Sequence, residues 1–150
     1  MTLNDHMLDW FKGDPQAVEF ALVAWDVAQA WDDVVDDGRS DEAPSLLEWL
    51  AFGQERHPFF ARHAADLRPV LLKTYLDWQA ANELENGRGA DLAKAYVLRA
   101  SIYGLWHFMA MLCGGIAWAK EVGPAIWGAY GEHLCDFMIE RRPEMEALHA

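Results

Sequence analysis

The sequence predicts an all-α protein: a compact bundle of about five to seven helices, built as a single domain over residues 1–150 around one long central helix. Three observations lead to this fold class. No segment shows the sustained alternation of apolar and polar residues, rich in β-branched side chains, that marks a strand. Apolar residues instead recur at helical spacing between proline, glycine and asparagine stops. A hydrophobic fraction of 53%, with eight Trp and seven Phe, is enough to form a sizeable core.

The central helix is predicted over residues 14–37. Asp14 suits the N-cap, and Pro15 suits the first helical position because its missing N–H would have no intrahelical partner there. Gly38 suits the left-handed residue that follows a helix C-terminus. Apolar side chains occur around most of the circumference, which is wider than the stripe of an ordinary surface helix. Burial on most sides is therefore expected.

Proline and glycine mark the ends of the other predicted helices. Asn86 and the glycines after it form a clear turn, and Gly114 with Gly115 ends the most apolar helix. Pro124 and Pro143 each indicate a new helical start. The remaining helices are predicted at residues 3–11, 44–53, 58–68, 69–86 and 91–113, followed by a broken helical stretch from residue 124 onward.

Four carboxylates form a row along the central helix. Glu19, Asp26, Asp33 and Asp37 are seven, seven and four residues apart, so at ~100° per residue they fall within about 40° of one another. An unpaired charge beside buried surface is costly unless a metal, a cation or a proton neutralises it. Two interpretations stay open: the row is a metal site, or it is the solvated face of a charged helix.

A second polar row lies on the helix predicted over residues 91–113. Arg99, Tyr103 and His107 recur at four-residue spacing, which predicts adjacent turns of one face. Facing the acidic row, Arg99 would bind a carboxylate or a phosphate, Tyr103 would donate a hydrogen bond, and His107 would orient or titrate. The simpler alternative is a structural ion pair of Arg99, with His107 as a core histidine whose hydrogen bonds are satisfied.

Composition narrows the classes of partner. A net charge of −12 argues against binding nucleic acid or an anionic membrane surface. Residues 100–119 lack charged side chains and are long enough to span a bilayer, but the polar side chains and the two glycines in this run favour a buried helix and a turn. Cys113 and Cys135 have neither zinc nor disulfide spacing, and no secretory signal begins the chain, so a cytoplasmic location is expected.

The sequence resembles two known groups of proteins, the first through one short motif and the second through three longer segments. Asp32-Asp33-Val34-Val35-Asp36 resembles the DDxxD motif by which class I isoprenoid synthases hold Mg²⁺ against a prenyl diphosphate, although a chain of 150 residues without a second metal motif departs from that family. WDDVVDDG at residues 31–38, together with residues 57–85 and 97–115, resembles small all-α proteins of tailed bacteriophages and prophages. This second resemblance implies a phage product working in the host cytoplasm or in the particle, and it supplies no catalytic residues.

Two functions are therefore predicted as alternatives. The first is a Mg²⁺-dependent hydrolase of a phosphorylated small molecule such as a nucleotide, because Mg²⁺ takes carboxylate, water and phosphate oxygens and Asp33 and Asp37 lie one turn apart. Glu83 or Glu85 could add a ligand from a second helix. The second is a non-enzymatic phage protein that binds a host or virion protein through an exposed apolar patch. The high apolar content is also compatible with a homodimer.

Overall fold

The computed structural model describes residues 1–143, and these residues form seven helices and no strand. The predicted all-α class is confirmed. A 3-10 turn at Ser40–Glu42 precedes the third helix, which contains a π-helical turn at Trp49–Gly53. The helices are α1 (Leu3–Trp10), α2 (Pro15–Asp36), α3 (Ala43–Glu48, continued through Trp49–Gly53 to Gln54–Arg56), α4 (Pro58–Leu84), α5 (Ala90–Arg99), α6 (Ser101–Gly128) and α7 (Leu134–Arg141).

The ends of α2 are formed as predicted. The Asp14 carboxylate accepts hydrogen bonds from the backbone N–H groups of Gln16 and Ala17 at 2.9 and 3.2 Å, and Pro15 occupies the first turn. Gly38 has a φ of +65°, the left-handed conformation that favours glycine after a helix. The predicted burial on most sides is wrong for the second half of α2, because the buried residues of the whole helix all lie between Ala17 and Ala24.

The main core lies where α1, the first half of α2, α4 and α6 meet. Phe11, Phe20, Phe59 and Trp106 are at most 1% exposed there. The Trp106 indole N–H also donates to the backbone oxygen of Ala21 at 3.3 Å, which fixes α6 against α2. A smaller core joins α4, α5 and α7 through Ala81, Ala95 and Phe137.

The predicted helix start at Pro69 is wrong. Helix α4 continues through Pro69, and its break lies at His63, whose φ of −124° and ψ of 20° are not helical. A proline inside a helix removes one hydrogen bond and clashes with the carbonyl four residues earlier, so its presence inside α4 is costly. Continuing the helix keeps Phe60 and Leu67 in the core, and their burial offsets the lost hydrogen bond.

The predicted helix over residues 91–113 is two helices. Helix α5 ends at Arg99 and α6 begins at Ser101, because Ala100 has φ −80° and ψ 10°. The Ser101 hydroxyl donates to the Leu98 backbone oxygen at 2.5 Å across this junction.

Helix α6 is a hairpin of two halves. The predicted break at the paired glycines is confirmed by Gly115, whose φ of +85° and ψ of 175° are not helical. The halves contact each other, since His107 Nε2 lies 2.9 Å from the Ala119 oxygen and the Trp127 indole N–H donates to His107 Nδ1 at 3.2 Å. The predicted start at Pro124 is wrong, because Pro124 lies inside the second half. The helical turn predicted after Pro143 falls outside the described residues.

Within residues 1–143, Ser101–Gly128 is the segment with the length and apolar composition of a membrane-spanning helix. Its break at Gly115 leaves halves of about 14 residues, which is shorter than the ~20 residues that a bilayer requires. In this fold the segment is therefore two short helices packed against each other.

Candidate functional site

A cavity of about 780 Å³ opens beside the second half of α2. Its walls come from α2, α3, α4, the α5–α6 junction, the connection before α7 and the end of α7. Pockets for small molecules commonly enclose roughly 300–1,000 Å³. The cavity therefore has the size of a small-molecule site.

Aromatic rings form much of the wall. Eight of the 25 lining residues are aromatic, against 13% of the whole chain. Several rings hold one another edge to face: Trp31 lies 6.0 Å from Tyr75 and 6.3 Å from Trp78, and Trp25 lies 6.0 Å from Tyr103 between ring centres. The aromatic lining residues are Phe20, Trp25, Trp31, Trp49, Tyr75, Trp78, Tyr103 and Tyr130.

Arg99 closes one end of the cavity and joins three helices. Its Nε donates to Glu85 at 2.6 Å, one terminal nitrogen donates to Asp32 at 3.2 Å, and the other donates to Asn82 at 2.6 Å. The side chain is only 11% exposed, and its guanidinium lies 5.2 Å from the centre of the Trp78 ring. Because every nitrogen of Arg99 already donates to the protein, the geometry favours the structural ion pair over a phosphate ligand.

Glu85 carries the charge that balances two arginines. One carboxylate oxygen accepts from Arg99, and the other lies 3.2 Å from Arg141 Nε. Burial by itself raises the pKa of Glu85, but the hydrogen bond from Arg99 and the positive charges of Arg99 and Arg141 hold the pKa of this carboxyl below its ordinary value. Glu85 therefore ties α5 and α7 to the end of α4, as an ionised group.

Asp32 and Asp36 are the carboxylates of α2 that reach the cavity. Burial, followed by the negative charge of Asp36, raises the pKa of Asp32 above its ordinary value, and Arg99 opposes this shift. Asp36 lies one turn further along and is exposed. Within the part of the chain that the structure describes, Asp36 forms no ion pair with a lysine or an arginine. The charge of Asp36 acts on Asp32 and on the Arg99 guanidinium, but no cation of the described residues pairs with it directly at the cavity mouth.

The predicted acidic row does not converge on this site. Glu19 is 67% exposed and lies 3.7 Å from His57 Nε2, Asp33 pairs with Arg39 at 3.3 Å, and Asp26 and Asp37 are exposed. Neighbouring residues on a helix are separated by ~100°, so Asp32 and Asp36 face the cavity while the row points elsewhere.

Among residues 1–143, no three His, Cys, Asp or Glu side chains are grouped closely enough to hold a metal ion. Of the further ligand candidates, Glu85 is taken by the two arginines and Glu83 is exposed. The Mg²⁺ site stays a prediction, without a structural group to support it.

The second predicted row is divided by the break at Ala100. Arg99 and Tyr103 line the same cavity, and burial raises the pKa of the Tyr103 phenol. His107 does not reach it: the imidazole lies inside the α6 hairpin beside a separate space of about 310 Å³. The prediction that His107 shares a face with Arg99 and Tyr103 is therefore wrong. Both ring nitrogens have hydrogen-bond partners, as in the simpler alternative, but the side chain is only half-buried.

Sequence reasoning missed the aromatic wall. A signal for it was present, because Tyr75 and Trp78 are three residues apart on α4 and therefore share a helix face. Which partners those rings meet depends on helix packing, which the spacing does not give.

No family model, curated protein sequence or solved structure gave a significant match to the chain. The resemblance to proteins of tailed bacteriophages therefore stays a prediction.

Proposed function

We propose that the protein binds a small, flat, largely apolar molecule in the cavity beside α2. The observation that carries the proposal is the aromatic wall: eight rings around a volume of about 780 Å³. Aromatic side chains offer large apolar faces to a flat ligand, and ligand pockets are typically apolar with a few polar groups that fix orientation. Gln29, Gln54 and Thr74 supply such polar groups within the same wall.

Incomplete burial of the rings supports this proposal. Trp25, Trp31, Trp49 and Trp78 are half-buried, whereas Trp106 in the core is 1% exposed. Covering apolar surface contributes roughly 25 cal/mol for each Å² removed from water. A ligand that covers the half-buried rings gains this contribution without rearranging the core.

Hydrolysis of a phosphorylated molecule with Mg²⁺ is less well supported. Arg99, its predicted phosphate ligand, donates to three protein side chains, and the acidic row is dispersed over the outer side of α2. The residues of the site therefore support the binding of a flat apolar ligand better than they support hydrolysis of a phosphorylated molecule.

A titration with the neutral fluorescent probe N-phenyl-1-naphthylamine tests the proposal. Saturable binding to one site is expected, with an enhanced and blue-shifted probe emission. Ala28→Phe places a ring into the cavity wall and should weaken binding at least about tenfold, since it fills the space that the probe needs. Ala80→Phe, at an exposed position outside the cavity, is the matched control and should leave binding unchanged. Absence of saturable binding to the unaltered protein would refute the proposal.

Protein binding is the second candidate function. Large apolar side chains are exposed on α3 and on α4 near the cavity: Leu47 and Phe52 are 66% and 65% exposed, and Leu72 and Leu76 are 58% and 53% exposed. Exposed apolar surface of this kind is common at interfaces between proteins. Self-association is its simplest form, and light scattering tests it: the mass should exceed 17.0 kDa and return to that value in Leu72→Ser/Leu76→Ser. A monomeric mass for the unaltered chain would remove the support for self-association.

A further inference from the structure

The charges around the cavity mouth do not balance. Arg99 and Arg141 line it, and both are neutralised by Glu85, which lies behind the wall, together with Asp32. Asp36 also lines the mouth, and so does Glu132, which accepts a hydrogen bond from the Tyr130 hydroxyl at 2.9 Å.

Two further charged groups of opposite sign lie close behind the mouth, so together they add no net charge there. The Glu140 carboxylate lies 3.2 Å from Arg141, and Arg142 donates to the backbone oxygens of Glu85 and Gly87 at 3.0 and 2.9 Å. The open side of the cavity is therefore left with negative charge.

Asp36 adds its charge at the least favourable place on α2. The C-terminal end of a helix carries partial negative charge from its last carbonyl groups, which favours a cation there and disfavours an anion. Helix α2 has no basic residue in its last turn, and Asp36 is its last residue. The nearby Arg39 pairs with Asp33 and Asp41 at 3.3 and 3.6 Å. A cation at the cavity mouth would meet both the carboxylate and the helix end.

The wall is suited to a cation as well as to a flat ring. Aromatic faces carry negative charge density and attract a cation within about 6 Å of the ring centre. Trp78 already has such a contact, with the Arg99 guanidinium 5.2 Å from its centre. Trp31 and Tyr75 stand beside Trp78 in the same wall and have no cation of the protein over them among the described residues.

We infer that the ligand of this cavity is an aromatic or other flat apolar amine, whose protonated nitrogen pairs with Asp36 while its body lies against the tryptophan and tyrosine rings. The inference rests on the proposed function, because it assigns a chemical class to the ligand of the same cavity. It excludes phosphates and carboxylates as preferred ligands, since the two arginines of the wall are already paired.

Three probes of matched shape and different charge test the inference: 2-(2-naphthyl)ethylamine, 2-(2-naphthyl)ethanol and 2-naphthylacetic acid, titrated at pH 7 by calorimetry. The amine should bind about tenfold more tightly than the alcohol, and the acid should bind more weakly than the alcohol. Asp36→Asn should reduce the affinity for the amine to that for the alcohol and leave the alcohol unchanged.

Asp26→Asn is the matched control, because Asp26 is an exposed carboxylate of the same helix that does not line the cavity. It changes the net charge equally and should alter neither affinity. Equal affinities for the amine and the alcohol, or tightest binding of the acid, would overturn the inference and leave the proposed function standing. Failure of all three probes to bind would overturn both.

Discussion

The two halves of α2 differ in what they pack against. In the first half, Ala17, Phe20 and Ala21 are at most 1% exposed and lie in the main core with α1, α4 and α6. In the second half, Ala28 and Trp31 are half-buried against an open cavity. The second half is also the more acidic, because residues 26–36 contain four aspartates whereas residues 15–25 contain one charged residue, Glu19. Apolar side chains of this helix therefore contribute to stability where neighbouring helices cover them, and they form a binding wall where no neighbour does.

Because the two halves differ in this way, we expect stability to depend on the first half of α2 and ligand binding to depend on the second. Changes around the first half of α2 should lower the free energy of unfolding. Changes in the second half should alter ligand affinity at little cost in stability. The following variants test the separation, from the largest expected effect on stability to the smallest.

Phe59→Ala should have the largest effect. Phe59 is fully buried, and its ring lies 5.9 Å from that of Phe20 in the first half of α2. Removing a buried phenylalanine ring costs about 3–5 kcal/mol, which urea denaturation followed by circular dichroism would measure. Phe52→Ala is the matched control, because Phe52 is 65% exposed and its loss should change stability by about 0.5 kcal/mol or less. Equal losses for the two variants would contradict the assignment of the core.

Glu85→Gln should lower the free energy of unfolding by about 1–3 kcal/mol at pH 7, because two partly buried arginines lose their shared carboxylate. Since the pKa of Glu85 is lowered in the folded protein, its contribution is complete above the ordinary value of 4.5 and is lost as the pH falls below that value through the folded pKa.

Denaturation from pH 7 to pH 3 should therefore show a smaller acid-induced loss for Glu85→Gln than for the unaltered protein. Glu83→Gln, at a neighbouring exposed position, should retain the pH dependence of the unaltered protein. An identical pH dependence for all three would argue against an ionised Glu85.

Gly123→Ala should lower the free energy of unfolding by about 1 kcal/mol, because a Cβ at this position would lie 2.6 Å from His107 Nε2 and the packed hairpin has to shift. Gly128→Ala adds the same methyl group where nothing lies within 4 Å, and it should not destabilise the protein. Thermal denaturation of both variants would measure the difference. A Gly123→Ala variant as stable as Gly128→Ala would mean that the two halves of α6 do not approach this closely.

Asp36→Asn should have the smallest effect on stability, and it should stabilise the protein where the other variants destabilise it. Removing a negative charge from the C-terminal end of α2 should raise the free energy of unfolding by about 0.3–1 kcal/mol. Urea denaturation at low salt would detect the gain. A clear loss of stability would mean that Asp36 has a structural partner, and the separation between core half and cavity half would then fail at this position.

The fold was largely predictable because its signals are local. Asp14, Pro15 and Gly38 act within one helical turn of themselves, and Gly115 takes the left-handed conformation that a glycine pair suggests. The break at Ala100 was not predictable, since alanine is the best helix former. Long-range contacts are made on either side of it: Arg99 binds Glu85, Asn82 and Asp32, and the Ser101 hydroxyl donates to Asp77 at 3.2 Å.

The site was less predictable than the fold, because it depends on which face of α2 meets its neighbours. The sequence favoured the row containing Asp33, yet Asp32 faces Arg99, a difference of one residue and ~100° around the helix. A single sequence gives the relative angles of side chains on one helix but not the rotation of that helix in the bundle. The aromatic cavity arises from packing between helices, so no single segment of the sequence predicts it.

The central claim is that a ligand occupies the aromatic cavity and no other part of the molecule, and the eight tryptophans make this directly measurable. In a ¹H–¹⁵N correlation spectrum each indole N–H gives its own signal, which can be assigned by single Trp→Phe variants. Titration with 2-(2-naphthyl)ethylamine should shift four of these signals saturably and leave those of the core unchanged. Shifts confined to the core tryptophans, or no saturable shift, would contradict the account. The signals expected to move are those of the cavity residues Trp25, Trp31, Trp49 and Trp78, and those expected to stay are Trp10, Trp106, Trp118 and Trp127, which do not line the cavity.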